Sequence, residues 1–345
     1  MEPSQATMIP PVTLRPSVLP SDRLNAKGMA LAPLRNELRR ISDARNALTV
    51  VSVWLQTLGV MIGASVVVQR TGWWPLWILV FLLMARAHAL FGILGHESAH
   101  RLLFSNQRVN DVVGRWFVNC PTLVSQEAYR RSHMAHHRDA LGPNEPDKTL
   151  YVGYPITRDS MRRKLRRDID GQSGIKLVKG LVRALRNPVS SKNIRQIIGV
   201  QIVLAVTLGW FVGWWAWPVL WFAPWMTVWR VINRLRAIAE HGGMVSSDDE
   251  RMITHHVRQS ATARFWMVPF NTGWHIAHHL DAGVPWRNLP RFHDELVGAG
   301  YIVEGLEYPN YRSLWRKLAS GGSDGSGSSA SDGSRGSREP AAANA

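Results

Sequence analysis

The chain has 345 residues, of which 46% are apolar, and a single cysteine, Cys120. That length allows one or two domains, and one thiol excludes an intrachain disulfide or a cysteine-ligated cluster, leaving Cys120 as a small buried hydrophobe. The 41 Lys and Arg outnumber the 25 Asp and Glu, a net charge of +16; beside long apolar runs this charge points to the cytoplasmic flanks of a membrane protein rather than to a nucleic-acid surface.

Residues 1–46 are polar with scattered prolines and form an expected cytoplasmic N-terminal region. No apolar stretch lies near Met1, so no cleavable signal peptide is expected. Ala47–Val68 then runs 22 residues without a charge, about 33 Å as a helix and enough for a bilayer core. After Gln69-Arg-Thr-Gly72 a second apolar run begins at Trp73 and continues through Arg86 and His88 to Gly95. Val112–Val124 is apolar but too short to span, and reads as an interfacial helix. Basic residues are dense from Arg158 to Arg195, as in Arg162-Arg-Lys-Leu-Arg-Arg167. This segment reads either as an amphipathic surface on anionic lipid or as a dock for an acidic redox partner or acyl carrier.

Ile197–Trp215 is the third run, and Pro218–Ile232 completes a fourth only if the helix continues past Arg234 and Arg236. The expected fold is all-α and membrane-integral, with four transmembrane helices in two hairpins at about 47–68, 73–95, 197–215 and 217–236. Many of the 16 tryptophans lie near span ends, where amphipathic rings favour the interface. The hairpin links carry one basic residue, Arg70, so both termini and the 96–196 segment should be cytoplasmic, in a bacterial inner membrane or cell membrane. His96 lies 23 residues after Trp73, and His241 24 after Trp217. As continuous helices, the second and fourth spans would lift both histidines to one height, about 35 Å, beneath a cytoplasmic helical cap. The Ser/Gly-rich stretch 320–345 reads as a disordered tail.

Eight of the 13 histidines fall in three clusters. Arg131-Ser-His-Met-Ala-His-His-Arg-Asp139 holds His133, His136 and His137; Trp274-His-Ile-Ala-His-His-Leu280 repeats the spacing with His275, His278 and His279; His96-Glu-Ser-Ala-His100 holds an i, i+4 pair. Residues three and four apart share a helix face, so each cluster can aim at least two ring nitrogens at one point. Neutral imidazole is a common ligand of iron, zinc and copper. His96-Glu-Ser-Ala-His100 also reads as the H-E-x-x-H of a membrane zinc metalloprotease, with Glu97 as general base. One catalytic zinc needs three protein ligands, which leaves the two later clusters without a task, so the histidine inventory favours two metals. A non-catalytic metal store or sensor is a third reading, but it does not account for the fixed spacings beside the spans.

The three clusters resemble the histidine boxes of the membrane fatty acid desaturase superfamily, which includes related hydroxylases and ketolases. Arg236-Ala-Ile-Ala-Glu-His241-Gly-Gly resembles the segment after the fourth span that supplies a further ligand. Phe270–Trp286 resembles the third box with its trailing proline, and Asn144-Glu-Pro-Asp147 the acidic tail after the second. The likeness covers about Ala47–His293, within an expected domain of 47–310. It implies a centre of two iron ions (Fe2+) held by His96, His100, His133, His136, His137, His241, His275, His278 and His279, with dioxygen as co-substrate. By the same likeness Asn271 holds a metal-bound water. His88 and Arg86, ionisable groups in an apolar run, are expected to support the ligands. Glu97, Asp147 and Glu240 can orient imidazoles through the second ring nitrogen, or can be solvated carboxylates. His255, His256 and His293 are expected at the surface.

An unactivated methylene has no acidic proton, so its oxidation belongs to a metal and dioxygen rather than to side-chain acid–base chemistry. The expected activity is desaturation of a fatty acyl lipid, with hydroxylation or ketolation of a lipid, carotenoid or alkane as the alternative. The chain has no G-x-G-x-x-G after a strand and no fused haem or iron–sulfur domain, which implies a separate electron donor such as a ferredoxin with its reductase.

Overall fold

The computed structural model describes residues 8–18 and 20–321. The expected tail lies outside the described residues from 322 onward, but Gly321 is placed and donates its N–H to the Ile156 carbonyl at 3.1 Å. The described chain is mainly helical. Its principal helices are α1 (Asp43–Thr71), α2 (Leu76–Ala99), α3 (Gln126–Arg138), α4 (Arg158–Ile169), α5 (Gln172–Leu185), α6 (Ser191–Phe211), α7 (Val228–His241), α8 (His275–Leu280), α9 (Leu289–Gly298) and α10 (Tyr311–Leu318). A two-residue parallel pair joins β1 (His256–Val257) to β2 (Glu307–Tyr308).

Three helical stretches, Ala32–Thr71, Leu76–Ala99 and Ser191–Phe211, are long and apolar enough to cross a membrane. Each outruns its apolar core at one or both ends. α6 begins at Ser191, before Lys192 and Arg195, because helical hydrogen bonding does not require apolar side chains. α1 stops where Gly72 adopts a left-handed backbone (φ 71°) and returns its N–H to the Val68 carbonyl at 2.8 Å. Glycine carries no Cβ penalty there.

The fourth run departs from the expected unbroken helix. It is a π-helical turn over Trp217–Phe222, a short helix Ala223–Met226, a break at Thr227 (φ −121°, ψ −91°) and then α7. Pro224 explains the departure from regular α-helix before it, since it lacks an N–H and crowds the Leu220 carbonyl; Pro218 lies in the first turn of the run, where proline is tolerated. The Thr227 hydroxyl donates to the Ala223 carbonyl at 2.7 Å at the break.

α2 is the most enclosed of the three long helices. It packs against α1, α3, α7 and the helical stretch 107–122. In lipid the drive for such packing is close backbone approach rather than apolar burial alone. Gly95 shows it: a Cβ there would lie 2.6 Å from Asn119 Oδ1. Met61, Phe91, Leu94, Trp221 and Trp286 fill the core between these helices. Two smaller cores lie around Ile238, Val268 and Leu314 and around Leu38, Ile276 and Phe292.

The N-terminal segment straps this assembly. Arg39 forms a bidentate pair with buried Asp281, at 3.0 and 2.8 Å, just after the third histidine box. Arg291 pairs with Glu37, and Arg23 with Glu295. Asn46, fully buried on α1, donates to the Leu103 carbonyl at 3.0 Å and accepts from Trp286 Nε1 at 3.3 Å and Arg287 Nε at 2.8 Å. Asn46→Leu leaves these groups unpaired in the interior. A loss of about 2–4 kcal/mol is expected, read as a lower unfolding midpoint of the detergent-purified protein. A midpoint equal to wild type would show that this junction does not hold the helices together.

Candidate metal centre

Four helix segments deliver the nine histidines. The last turn of α2 carries His96, with His100 as its C-cap. α3 opens at Ser125, whose hydroxyl accepts the Ala128 N–H at 3.3 Å, and bears His133, His136 and His137 on its final turns. α7 ends on His241, and the six-residue α8 bears His275, His278 and His279.

The rings converge on two adjoining points. Ring nitrogens of His96, His100, His133, His137 and His278 all lie within 4.8 Å of one another. Their Nε2 atoms face each other at 3.1 Å for His96 and His278, 2.8 Å for His100 and His133, and 3.0 Å for His137 and His278. A second group joins His136, His241 and His279. His275 reaches it through His241, Nε2 to Nε2 at 3.1 Å. The two later boxes therefore divide between the points. On α3, His133 and His137, four apart, serve the first and His136 the second; on α8, His278 serves the first and His275 and His279, again four apart, the second. Only 4.7 Å separates the ring centroids of His137 and His279, one from each group.

The groups differ in what stands behind them. Every histidine of the second has an oxygen near its Nδ1. Glu145 Oε2 lies 2.7 Å from His136, the Ile253 carbonyl 3.0 Å from His241, Glu240 Oε1 3.8 Å from His275 and Glu250 Oε2 3.6 Å from His279. Only the first two are within hydrogen-bond reach; an Nδ1–H donated to Glu145 or to the Ile253 carbonyl turns the Nε2 lone pair of His136 or His241 inward. His279 Nε2 is buried and has no hydrogen-bond partner. In the first group, His96 Nδ1 likewise has none.

Burial controls the charge states. It holds His100 down at about 3 and His137 at about 2, and keeps His133, His241, His275, His278 and His279 well below the usual range. His136 is the exception. Burial lowers it, but the hydrogen bond and charge of Glu145 outweigh that and leave it raised. Burial lifts Asp147 to about 6 and Glu250 to about 7, and raises Glu240. A polar cavity of about 70 Å³ touches both groups; Tyr129, Asp147, Tyr151 and Glu240 share its wall with the histidines.

Other expected site residues lie in varied places. Asp147 is within 4.8 Å of the His136 and Glu145 atoms. Glu240 pairs with Arg236 at 3.1 Å as well as facing His275. Glu97 is buried, but its Oε1 accepts the Trp286 backbone N–H at 3.0 Å, so it anchors the chain after the third box. His88 sits against Trp221, Nε2 at 3.0 Å from its carbonyl oxygen, and Arg86 donates to the Phe265 carbonyl at 2.8 Å; among the described residues neither hydrogen-bonds a clustered histidine. Asn271 has a left-handed backbone (φ 63°), and its carbonyl accepts the Trp274 N–H at 3.2 Å.

The surface expectation for three histidines is corrected. His255 and His256 are buried, and His293 is half-buried. His255 Nε2 donates to the Gly242 carbonyl at 2.8 Å, while His293 stacks on Trp274 at 4.0 Å and on His256 at 5.0 Å. Aromatic stacking and the β1–β2 pairing draw this segment inside. Sequence reasoning missed Glu145, Glu250, Tyr151 and the Ile253 carbonyl. Glu145 had a signal, since it lies in the acidic tail after the second box; the others lie in unpatterned segments.

Two outcomes follow from this geometry. Glu145→Gln removes the charge behind His136, so divalent-metal affinity of the purified protein should fall about 10–100-fold, while Asp159→Asn, exposed on α4 and paired with Arg162, should leave it unchanged. Equal affinity in both variants would make the Glu145 contact incidental. The second concerns acid. Unfolded imidazoles take a proton near 6.5, whereas burial holds His255 at about 4 and His256 at about 3. The folded state disfavours these protons, so the stability is complete above the unfolded value and is lost as pH falls below it. Chelator-stripped protein should melt progressively lower between about pH 7 and pH 5. A stripped protein with a flat melting profile over that range would contradict the buried neutral state.

A comparison with curated proteins finds no match. The family model described as "Fatty acid desaturase" matches residues 71–309. That stretch takes in all three histidine boxes, His241 and most of the helical assembly, and the chain belongs to the fatty acid desaturase family.

Proposed function

We propose that this desaturase-like, lipid-modifying membrane enzyme is a dioxygen-dependent di-iron oxidoreductase that inserts a double bond into a fatty acyl chain. The observation that carries the reading is the convergence of nine histidines on two adjoining points, five on one and four on the other. Five neutral imidazoles meeting at one point cannot all pair with one another through Nε2–H donors, and His279 Nε2 is buried with no partner; a shared cation at each point would take these lone pairs. An all-imidazole donor set suits iron. On this reading His96, His100, His133, His137 and His278 hold one iron, and His136, His241, His275 and His279 the other. When bound, the irons and dioxygen supply the oxidising power that removes two hydrogens from adjacent methylenes.

The protein's own groups do the rest. Glu145 and the Ile253 carbonyl keep a proton on the Nδ1 atoms of His136 and His241 and fix those rings, while Glu240 and Glu250 face His275 and His279 at longer range. Buried Ile93, Trp286 and Leu289 close the side of the site near His96 and His278 to water. Asp147 and Tyr151 line the polar cavity beside both groups, where protons can be held. The membrane layout is four crossings in two hairpins, the fourth being the proline-broken helix from Trp217, with termini and metal centre on the basic, cytoplasmic side. The desaturase-like domain is 47–310. Electrons come from a separate carrier, and an acidic ferredoxin would match the basic surface.

The zinc protease reading draws less support. His96 and His100 share one point with three further histidines, and Glu97 is engaged by the Trp286 N–H. Metal analysis of the detergent-purified protein decides between them. About two irons per chain, much reduced by His136→Ala, are expected, together with dioxygen-dependent unsaturation in the lipids of an expressing host. Hydroxylated or keto lipids would move the activity to the alternative outcome of the same centre. About one zinc per chain, kept in His136→Ala and lost in His96→Ala, would sink the proposal.

A further inference from the structure

A cavity of about 400 Å³ lies between α5 and α6 and shares no residue with the metal centre. Its α5 wall is Val178, Leu181, Val182 and Leu185, an i, i+3, i+4, i+7 stripe. Ile198 and Ile202 face it from α6. It opens to the outside, for Val182 is 48% exposed and Ile202 58%. The polar residue in the wall, Gln201, is already spent: its amide donates to the Cys120 and Pro121 carbonyls at 2.8 and 2.9 Å, and its oxygen accepts from Trp217 Nε1 at 3.1 Å. Nothing in this wall asks for a polar ligand.

The same helices are strongly basic. Between Gly171 and Arg195 there is no acid, and Lys176, Lys179, Arg183, Arg186, Lys192 and Arg195 are all exposed. None forms a salt bridge among the described residues, whereas Arg162 and Arg166 on α4 pair with Asp159 and Asp170. The cations interleave with the groove residues, Arg183 following Val182 and Arg186 following Leu185. A helix so arranged places its charges beside its apolar stripe, the geometry of an interfacial helix. An acidic protein would satisfy the cations but leave the aliphatic walls open. A free anion would do the same. An anionic amphiphile satisfies both, and α6 is long and apolar enough to lie in the bilayer that supplies one.

We propose that the α5–α6 groove binds one anionic phospholipid of the surrounding bilayer, with an acyl chain against Val182, Leu185, Ile198 and Ile202 and the phosphate on Arg183, Arg186 and Lys192. The site requires only that the protein lies in a membrane, and stands apart from the identity of the metal or the reaction.

The test is native mass spectrometry of the full-length, metal-loaded protein in detergent, titrated with phosphatidylglycerol or phosphatidylcholine of identical acyl chains. The first phosphatidylglycerol adduct should form at about tenfold lower lipid concentration than the first phosphatidylcholine adduct. R183Q/R186Q/K192Q should abolish that preference, and Ile198→Trp, which fills the groove, should weaken the first adduct of both lipids. Both sets of changes lie on exposed surface, and unchanged elution and metal content would verify folding. A preference that survives the triple substitution would overturn the proposal. So would a first adduct indifferent to Ile198→Trp, which would mean surface charge alone, or one displaced by inorganic phosphate, which would mean a phosphate site without a chain. If an acidic ferredoxin cross-links to α5 and phosphatidylglycerol fails to compete, the basic face is a protein dock and the proposal is wrong.

Discussion

Nine imidazoles are pressed together in a buried space, and the rest of the structure answers to that crowding. Protonated, they would repel as charges in a low-dielectric interior. Neutral, they crowd Nε2 atoms to 2.8–3.1 Å of one another, and each such contact is satisfied only where one of the two rings carries the proton. Such a cluster does not form by local preference. It must be held by elements that are stable for other reasons, and each histidine therefore sits on a helix whose body is anchored elsewhere. α2 is gripped along its length by α1, α7 and the 107–122 stretch. α3 is fixed by its Ser125 cap and by Arg130, which donates to the Ala99 and Ser98 carbonyls at 3.0 and 2.9 Å. α8, too short to stand alone, is bolted by the Arg39–Asp281 pair on one side and by the Glu97–Trp286 contact beyond it.

The two histidine groups are built differently. The four-histidine group has an oxygen behind each ring, three of them carboxylate, while the five-histidine group relies on number. A ring backed by a carboxylate is a stronger electron donor and a stiffer one. Fewer rings on one side, two of them hydrogen-bonded at Nδ1, and more rings on the other leave the two points unlike, though one bundle of helix ends makes both. The polar cavity that touches both groups is walled by Asp147, Tyr151 and Glu240, so the acidic groups concentrate on one face of the centre.

Away from the centre the chain divides its surface by chemistry. Apolar side chains such as Leu55, Ile78, Ile202 and Trp210 are exposed on the long helices, where a bilayer would cover them. Basic side chains gather on α4, α5 and the start of α6, and the N-terminal strap closes over the third box. The α5–α6 groove lies where these two surfaces meet, which is why its walls and its charges point to the same kind of molecule.

Much of this was legible in the sequence. Uncharged runs of sufficient length dictate helices at α1, α2 and α6, because nothing else satisfies the backbone in lipid. Spacings of three and four on a helix let each box aim at least two rings at one point, and the count of histidines favours two metals over one. Pairing across the chain was not legible. That α3 and α8 each split their histidines between two points, that Glu145 rather than Asp147 grips His136, that Glu97 holds a backbone N–H, and that His255 and His256 are buried all depend on segments far apart in sequence meeting at set distances. Pro224 was visible, but whether it would kink the fourth run depended on what packed against it. Composition and periodicity act within one helix, and so the sequence alone determined the elements and their chemistry; hydrogen bonds between elements are set by three-dimensional packing, and so only the tertiary structure decided which histidine serves which point and what stands behind it.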